Sequence, residues 1–473
     1  LGRQLLILPN GGQGARPGFI FFGVLADEGR RGFEPEASVV LEFREKRDRM
    51  GTSPNNTPLL LLVLDACRFD YLGQGDLPWV EERLDEGFYA EKVKPSFGFC
   101  EIAELLTGVE TRENGFFCQM GPAEPGETSF LLKVLAGVTA PIEGRMGEWG
   151  RELCRSVLRR VARRMDHREI YEIPAGLLGR FRATEGALDY QAPFAFGRES
   201  LFDLARAKGL EWDASAFVAF NRVAGSDRDR ADRLCEIAQR AEGAPALTLG
   251  YFGDLDRVGH IYGPGSPGLR AQLKKTARLV EEVGEAFLRR GGSVLLVGDH
   301  GMLKVDEHLD LLELLGDLGR KTRIFVDSTL CRFWFEDKAT QEGVEPRIRE
   351  VLWPAPGFFL EEGLAREMGV PDGKDRGDLA FAANPGVVFY PDYFNRKKVL
   401  GMHGYSPEIP GQKGFCLGLG PAFAKRRVPE IRLVDVPKIA AQALGAGQVG
   451  DGVAETWVSP LYSEAAVLGE EGG

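Results

Sequence analysis

Residues 59–72 read LLLLVLDACRFDYL: six apolar side chains, then an aspartate, then a short turn. An unbroken apolar run of this length, closed by a polar residue, is the pattern of a parallel strand buried on both faces. The device recurs downstream. Ala246–Phe252 runs into GDLDRVGH, and Ser293–Val297 runs into Gly298-Asp299-His300-Gly301. Helical periodicity covers Asp227–Ala241 and Leu269–Arg289, and Gly291-Gly292 stops the second. Ala214–Phe220 reads as a further strand, Tyr89–Lys94 as a weaker one, and Glu101–Leu106 and Arg151–Arg164 as helices. This alternation predicts an α/β chain: a three-layer sandwich with a mostly parallel central sheet and helices on both faces. Active residues of such sheets gather beyond the carboxyl ends of the strands. Asp65, Asp256 and Asp299 fall there.

With 473 residues, 44% of them hydrophobic, the chain can bury a large core, and one big domain with insertions is expected. The net charge of −11 is spread along the chain. The basic stretch RELCRSVLRRVARRMDHR (151–168) has helical spacing and few aromatics, so it reads as a solvated helix face, and no nucleic-acid partner is expected. Seven cysteines, an odd number without paired spacing, suggest neither a disulfide framework nor a structural zinc site; a reduced, cytoplasmic protein is expected. The most apolar run falls far short of the roughly 20 residues a spanning helix needs, and no membrane association is expected. Met50 opens MGTSPNNTPLLLLVLD as a natural start would, so residues 1–49 read as an upstream extension.

Chemistry concentrates in five segments: LLLLVLDACRFDYL with Asp65, GYFGDLDRVGHIYGP with Asp256 and His260, LLVGDHGM with Asp299 and His300, GMHGY with His403, and the loop KPSFGFCE (94–101). Three of the chain's five histidines sit in these glycine-flanked segments, each accompanied by carboxylate-bearing loops. Imidazole nitrogen with carboxylate oxygen suits zinc, with manganese or iron as competitors. Two such ions about 4 Å apart can polarise a phosphoryl oxygen, activate a nucleophile and neutralise a leaving oxygen.

These segments resemble the nucleotide pyrophosphatase/phosphodiesterase branch of the alkaline phosphatase superfamily. LDACRFDYL is similar to its D-G-x-R-x-D-Y-L strand end, and LLTGVETRENGFF to its T-G-x-x-P-x-x-H-G-I stretch. DLDRVGHIYGP resembles its P-D-x-x-G-H-x-x-G-P, VGDHGM its S-D-H-G-M, and MHGY followed by GLGPAF its S-H-G-Y…GPAF. The matches run in family order. The resemblance implies an alkaline phosphatase-like catalytic domain over 59–445, with insertions at about 120–200 and 320–395, between an extension at 1–58 and a tail at 446–473. It implies one metal held by Asp256, His260 and His403 and a second held by Asp65, Asp299 and His300, most simply two Zn²⁺ with Mn²⁺ as the alternative. Asp254 lies two residues before Asp256, and the four-residue gap to His260 selects Asp256. His308 and His167 match nothing, while Arg68 and Asp70 read as braces of the first loop.

The nucleophile departs from the family pattern. A Thr, Ser or modified Cys is expected ten residues before the Gly of T-G, at a helix N-terminus suited to receive phosphate. Counting back from Gly108 gives Gly98, which has no side chain. Ser96 serves if the loop bulges; Cys100 serves if a metal and the helix N-terminus lower its thiol pKa; otherwise hydroxide on a metal attacks. Glu101 occupies the place of a phosphate-binding Asn, where a carboxylate repels phosphate unless it holds metal or acts as a base. The expected activity is hydrolysis of a phosphodiester or pyrophosphate-type bond in a small phosphorylated, nucleotide- or nucleotide-sugar-like substrate. A phosphomonoesterase or phosphonate hydrolase, and an inactive metal-bearing binding protein, are the alternatives.

Overall fold

The computed structural model describes residues 57–143, 148–166, 169–217 and 225–450. The extension expected at 1–49, most of the tail expected at 446–473, and His167 lie outside the described residues.

The central sheet contains β1 (Leu59–Leu64), β2 (Phe88–Lys94), β3 (Trp212–Ala216), β4 (Leu247–Phe252), β5 (Ser293–Gly298), β6 (Gly414–Leu419), β7 (Arg426–Val428) and β8 (Ile431–Arg432). Its order is β7-β2-β6-β5-β1-β4-β3, with β8 also pairing β2. β6 runs against its neighbours, and the other pairings are parallel. The strand expected at Ala214–Phe220 is displaced toward the N-terminus, and its last three residues lie outside the described set.

Side chains alternate across the sheet, and both faces are covered. Leu59, Leu61 and Val63 pack toward α1 (Glu101–Thr107) and a C-terminal helix at Asp435–Ala443, through Ile102, Leu105, Leu106, Val436 and Ile439. Leu60, Leu62 and Leu64 pack toward two helices at Asp227–Ala238 and Pro267–Leu288, through Leu234, Ile237, Leu273, Val280 and Val283. That double burial accounts for the continuous apolar run of β1. The expected three-layer sandwich is present.

The segments read as two insertions share one core. A four-stranded antiparallel sheet (Arg323–Val326, Leu330–Trp334, Gly357–Phe359, Leu379–Ala383) packs with helices at Phe130–Glu143 and Glu148–Met165 through Leu132, Leu158, Phe181, Phe325 and Phe333. Arg332 pins them together: fully buried, it pairs with Asp327 at 3.0 Å and donates to the carbonyl oxygens of Met120 (2.8 Å) and Asp375 (2.6 Å). Met402 and Tyr405 belong to this second core, so the loop carrying His403 is anchored in it.

Register decides where the loops meet. Leu64 pairs with Phe252 on one side and Gly298 on the other, so β1, β4 and β5 end level with one another. Their acidic loops therefore leave the same edge. The backbone approaches closely here: a Cβ on Gly298 would stand 2.1 Å from the Cys67 carbonyl oxygen. Gly298→Ala is expected to cost roughly 1–3 kcal/mol through overpacking against backbone, read as a lower urea midpoint with an unchanged slope.

Candidate metal centre

The first group forms where β1 and β5 end. Asp65 receives the Tyr251 hydroxyl on Oδ2 (2.6 Å), and its Oδ1 faces Nε2 of His300 at 3.0 Å. Ala66 adopts a left-handed φ of 58°, which turns its N–H onto Oδ1 of Asp299 at 3.2 Å. The same oxygen accepts the backbone N–H of His300 (2.9 Å). Arg68 braces this corner: its guanidinium pairs with Asp70 at 2.5 Å and donates to the Met302 carbonyl at 2.7 Å, tying the loop after β1 to the loop after β5.

The second group sits on α2 (Asp254–Tyr262), where the i,i+4 spacing puts Asp256 and His260 on one helix face. Nε2 of His260 lies 3.2 Å from Oδ1 of Asp256. Asp227 holds the start of this helix by accepting the N–H groups of Gly253 (2.9 Å) and Asp254 (3.0 Å). Asp254 points elsewhere and pairs with Arg257 at 2.8 Å. His403 completes the group, with Nε2 3.8 Å from Asp256, and its ring stacks on His300 with centroids 4.1 Å apart. Ligand-type atoms lie within 4.8 Å of one another in the set Asp65, Asp299, His300 and in the set Asp256, His260, His403.

The tautomers test whether these residues fit a metal. Nδ1 of His300 contacts the Gly301 carbonyl oxygen, and Nδ1 of His260 the Gly401 carbonyl oxygen, each at 2.8 Å. A carbonyl only accepts, so both protons sit on Nδ1 and both Nε2 lone pairs face a carboxylate. That arrangement requires positive charge between them, a second proton or a metal ion, and backbone-held Nδ1–H is the usual support of a metal-ligating histidine. Burial opposes charge on His300, but Asp299 and Asp65 outweigh it and raise its pKa well above the ordinary value. Burial raises the Asp299 carboxyl, whereas His260 outweighs burial at Asp256 and holds it below the usual range. Burial and the neighbouring His300 push His403 well down. The donor set fits divalent cations.

The two nucleophile candidates stand apart from this cluster. Cys100 is buried just before α1 and does not line the cavity at the cluster. Burial, with Glu185 adding to it, pushes its thiol well above the ordinary range, the opposite of the expected lowering. Ser96 lines a different cavity with Lys94, Glu104 and Arg432, and its N–H donates to Glu104 at 3.2 Å. Gly98 is not a simple gap either. Its φ is +131°, and a Cβ there would lie 2.3 Å from the Phe117 carbonyl oxygen. His308 contacts the Val399 carbonyl (2.9 Å) and does not line the cavity.

The cavity, ≈ 290 Å³, is lined by Asp65, Glu101, Asp256, His260, His300 and His403 together with Phe99, Gln119, Tyr171, Tyr251, Ser328, Phe394, Asn395 and Met402. Sequence reasoning missed Tyr171, Phe394, Gln119, Ser328 and Asn395, which come from the inserted segments and carry no local pattern. Tyr251 had a faint signal, a hydroxyl-bearing ring at the end of an apolar strand. The basic helix at Glu148–Met165 is more than a solvated face: Arg155 is buried and donates to the Tyr171 and Ile173 carbonyl oxygens, holding the segment that carries the Tyr171 ring.

Residues 206–406 match the Type I phosphodiesterase / nucleotide pyrophosphatase family. Over that span the chain resembles the nucleotide pyrophosphatases/phosphodiesterases. The matched span contains Asp256, His260, Asp299, His300 and His403, while Asp65 and α1 precede it. Human ectonucleotide pyrophosphatase/phosphodiesterase family member 7 is 24% identical over 235 residues, 46% of this chain and 49% of that protein, so the chain spans about half the length of the curated relative it matches. The solved structure of human ectonucleotide pyrophosphatase/phosphodiesterase 5 superposes with a TM-score of 0.60 at 15% identity, covering 84% of this chain and 96% of that one. An inactive variant of the murine protein in complex with AMP gives 0.60 at 14% identity, covering 85% and 100%. These likenesses establish the shared fold.

Because Gly98 faces Phe117, restoring a hydroxyl there does not rebuild a nucleophile. Gly98→Thr is expected to lower the thermal midpoint and to give no phosphorylated protein on rapid acid quench with substrate.

Proposed function

We propose that this protein is a metal-dependent phosphoric ester hydrolase acting on phosphodiester or pyrophosphate-type bonds of a small nucleotide-like substrate. The observation that carries this reading is the pair of carboxylate–imidazole groups opening into one cavity. Asp256, His260 and His403 would hold one divalent cation and Asp65, Asp299 and His300 the other, Zn²⁺ or Mn²⁺ by donor type. When bound, the cations supply charge that polarises the phosphoryl group and offsets negative charge on the leaving oxygen.

The chain's own residues do the rest. Gly301 and Gly401 carbonyls keep the Nε2 atoms of His300 and His260 turned toward the carboxylates. The Tyr251 hydroxyl holds Asp65, and the N–H groups of Ala66 and His300 hold Asp299. Tyr171 and Phe394, packed edge to face at 4.7 Å, give the cavity an aromatic wall suited to a planar ring, with Asn395 and Ser328 as polar partners. The AMP complex of the murine relative supports a substrate of that kind. Neither Cys100 nor Ser96 lines the cavity, and Ser328, which does, has its hydroxyl engaged by Asp392 and Asn395, so water supplies the attacking oxygen, one P–O ester bond breaks, and one proton passes to the departing oxygen. No Lys or Arg lines it among the described residues either, which favours a diester monoanion over a monoester dianion. All seven cysteines are free, in keeping with a reducing, cytoplasmic setting.

A metal-bearing protein without catalysis is the second reading, favoured by Gly98. Chromogenic mono- and diesters decide between them. Expected are turnover of the diester, loss on chelation, and recovery with a divalent metal. Cys100→Ala and Ser96→Ala should keep kcat within about threefold, since neither side chain lines the cavity. Asp299→Asn should lower kcat/KM by more than about 100-fold, beyond the 10–100-fold cost of losing a supporting contact around a metal site. A wild type that binds metal and cleaves neither ester establishes the second reading.

A further inference from the structure

Glu101 is the one cavity carboxylate left without a role in the two metal-holding groups. It is the first residue of α1, and its side chain lines the cavity. Its ligand-type oxygen lies within 4.8 Å of those of both His300 and His403, one histidine from each group. Its Oε1 stands 4.0 Å from Nδ1 of His403. That nitrogen is buried and makes no hydrogen bond, whereas Nδ1 of both His260 and His300 is held by a backbone carbonyl.

The two groups also differ in how many protein donors surround them. In the set Asp65, Asp299 and His300, both Asp299 and His300 are buried. Asp256, His260 and His403 are each partly exposed. Four protein donors make a closed tetrahedral site, while three leave a position for water or substrate.

Resting on the metal-centre reading above, we propose that Glu101 is the fourth protein ligand of the cation held by Asp65, Asp299 and His300. That cation is thereby closed off by protein, and the one at Asp256, His260 and His403 keeps the open position. The helix N-terminus that would otherwise receive a substrate phosphate is instead occupied by a protein carboxylate. The backbone explains the exchange: with the Gly98 position turned against Phe117, the first side chain of α1 to reach the cluster is Glu101.

Glu101→Gln separates ligation from mere orientation of His403. An amide oxygen can accept an Nδ1–H bond as a carboxylate can, but it is a much poorer metal ligand than a carboxylate. The full-length wild type and Glu101→Gln would be stripped of metal and titrated with Zn²⁺ by competition calorimetry, with Zn²⁺ per chain counted by elemental analysis. Thermal unfolding of the stripped proteins checks the fold, and the variant is expected to be no less stable than the wild type. The expected result is two Zn²⁺ per wild-type chain. In the variant one site should weaken by at least about tenfold, the scale that ligand-supporting groups already command, and the other should stay within about twofold. Equal affinities in the two proteins overturn the proposal and leave Glu101 as a positioning residue for His403. Equal weakening at both sites overturns the assignment to one cation. A wild type that takes up no Zn²⁺ overturns the metal centre itself.

Discussion

Three carboxylates and three imidazoles line one cavity at the end of the central sheet, with the buried Asp299 beside them, and together they make an electrostatic demand that the surrounding structure has to meet. Buried carboxylates this close repel one another unless cations or protons lie between them. Burial raises Asp65, Asp299 and Glu101, the last to about 7, while the imidazoles pull toward charge separation. A rigid frame is needed to hold such a cluster, because any freedom would let the charges move apart into water.

The frame is the level ending of β1, β4 and β5. Each strand is buried on both faces, so its register is fixed by two cores at once, and a slip of one residue would exchange their side chains and misfit both. Loops that leave at the same height can then be tied across by short contacts: Ala66 to Asp299, Tyr251 to Asp65, and Arg68 to Met302. These hydrogen bonds do for the ligands what side-chain packing does for the strands. They fix the direction of each donor as well as its position.

His403 reaches the cluster differently. Its loop belongs to the second core, with Met402 and Tyr405 packed among the inserted segments and the Thr329 hydroxyl bonded to the Gly404 carbonyl at 3.0 Å. The same unit supplies Tyr171, Phe394, Ser328 and Asn395 to the cavity wall. One half of the site is therefore carried by the sheet and the other by the insertions, and the cavity exists because the buried Arg332–Asp327 pair and its backbone contacts draw the inserted segments into one body.

Much of this was legible in the sequence, for a physical reason. A strand buried on both faces must be continuously apolar, and a donor at its end must be polar, so Asp65 and Asp299 announce themselves at the boundary of their runs. The i,i+4 interval of Asp256 and His260 is equally local. What local pattern could not show was the direction of side chains around α1. Cys100 and Ser96 sit in the right stretch of chain, yet the left-handed turn at Gly98 and the packing of Phe117 leave both outside the cavity and Glu101 within it. The aromatic wall was also hidden, since Tyr171 and Phe394 are more than two hundred residues apart and meet only through the second core. The sequence by itself determined the buried strands, the polar residues that close them and the residue types gathered there, because burial and periodicity are local constraints. Only the tertiary structure decided which donors face one another, because that depends on backbone turns and on contacts between distant segments.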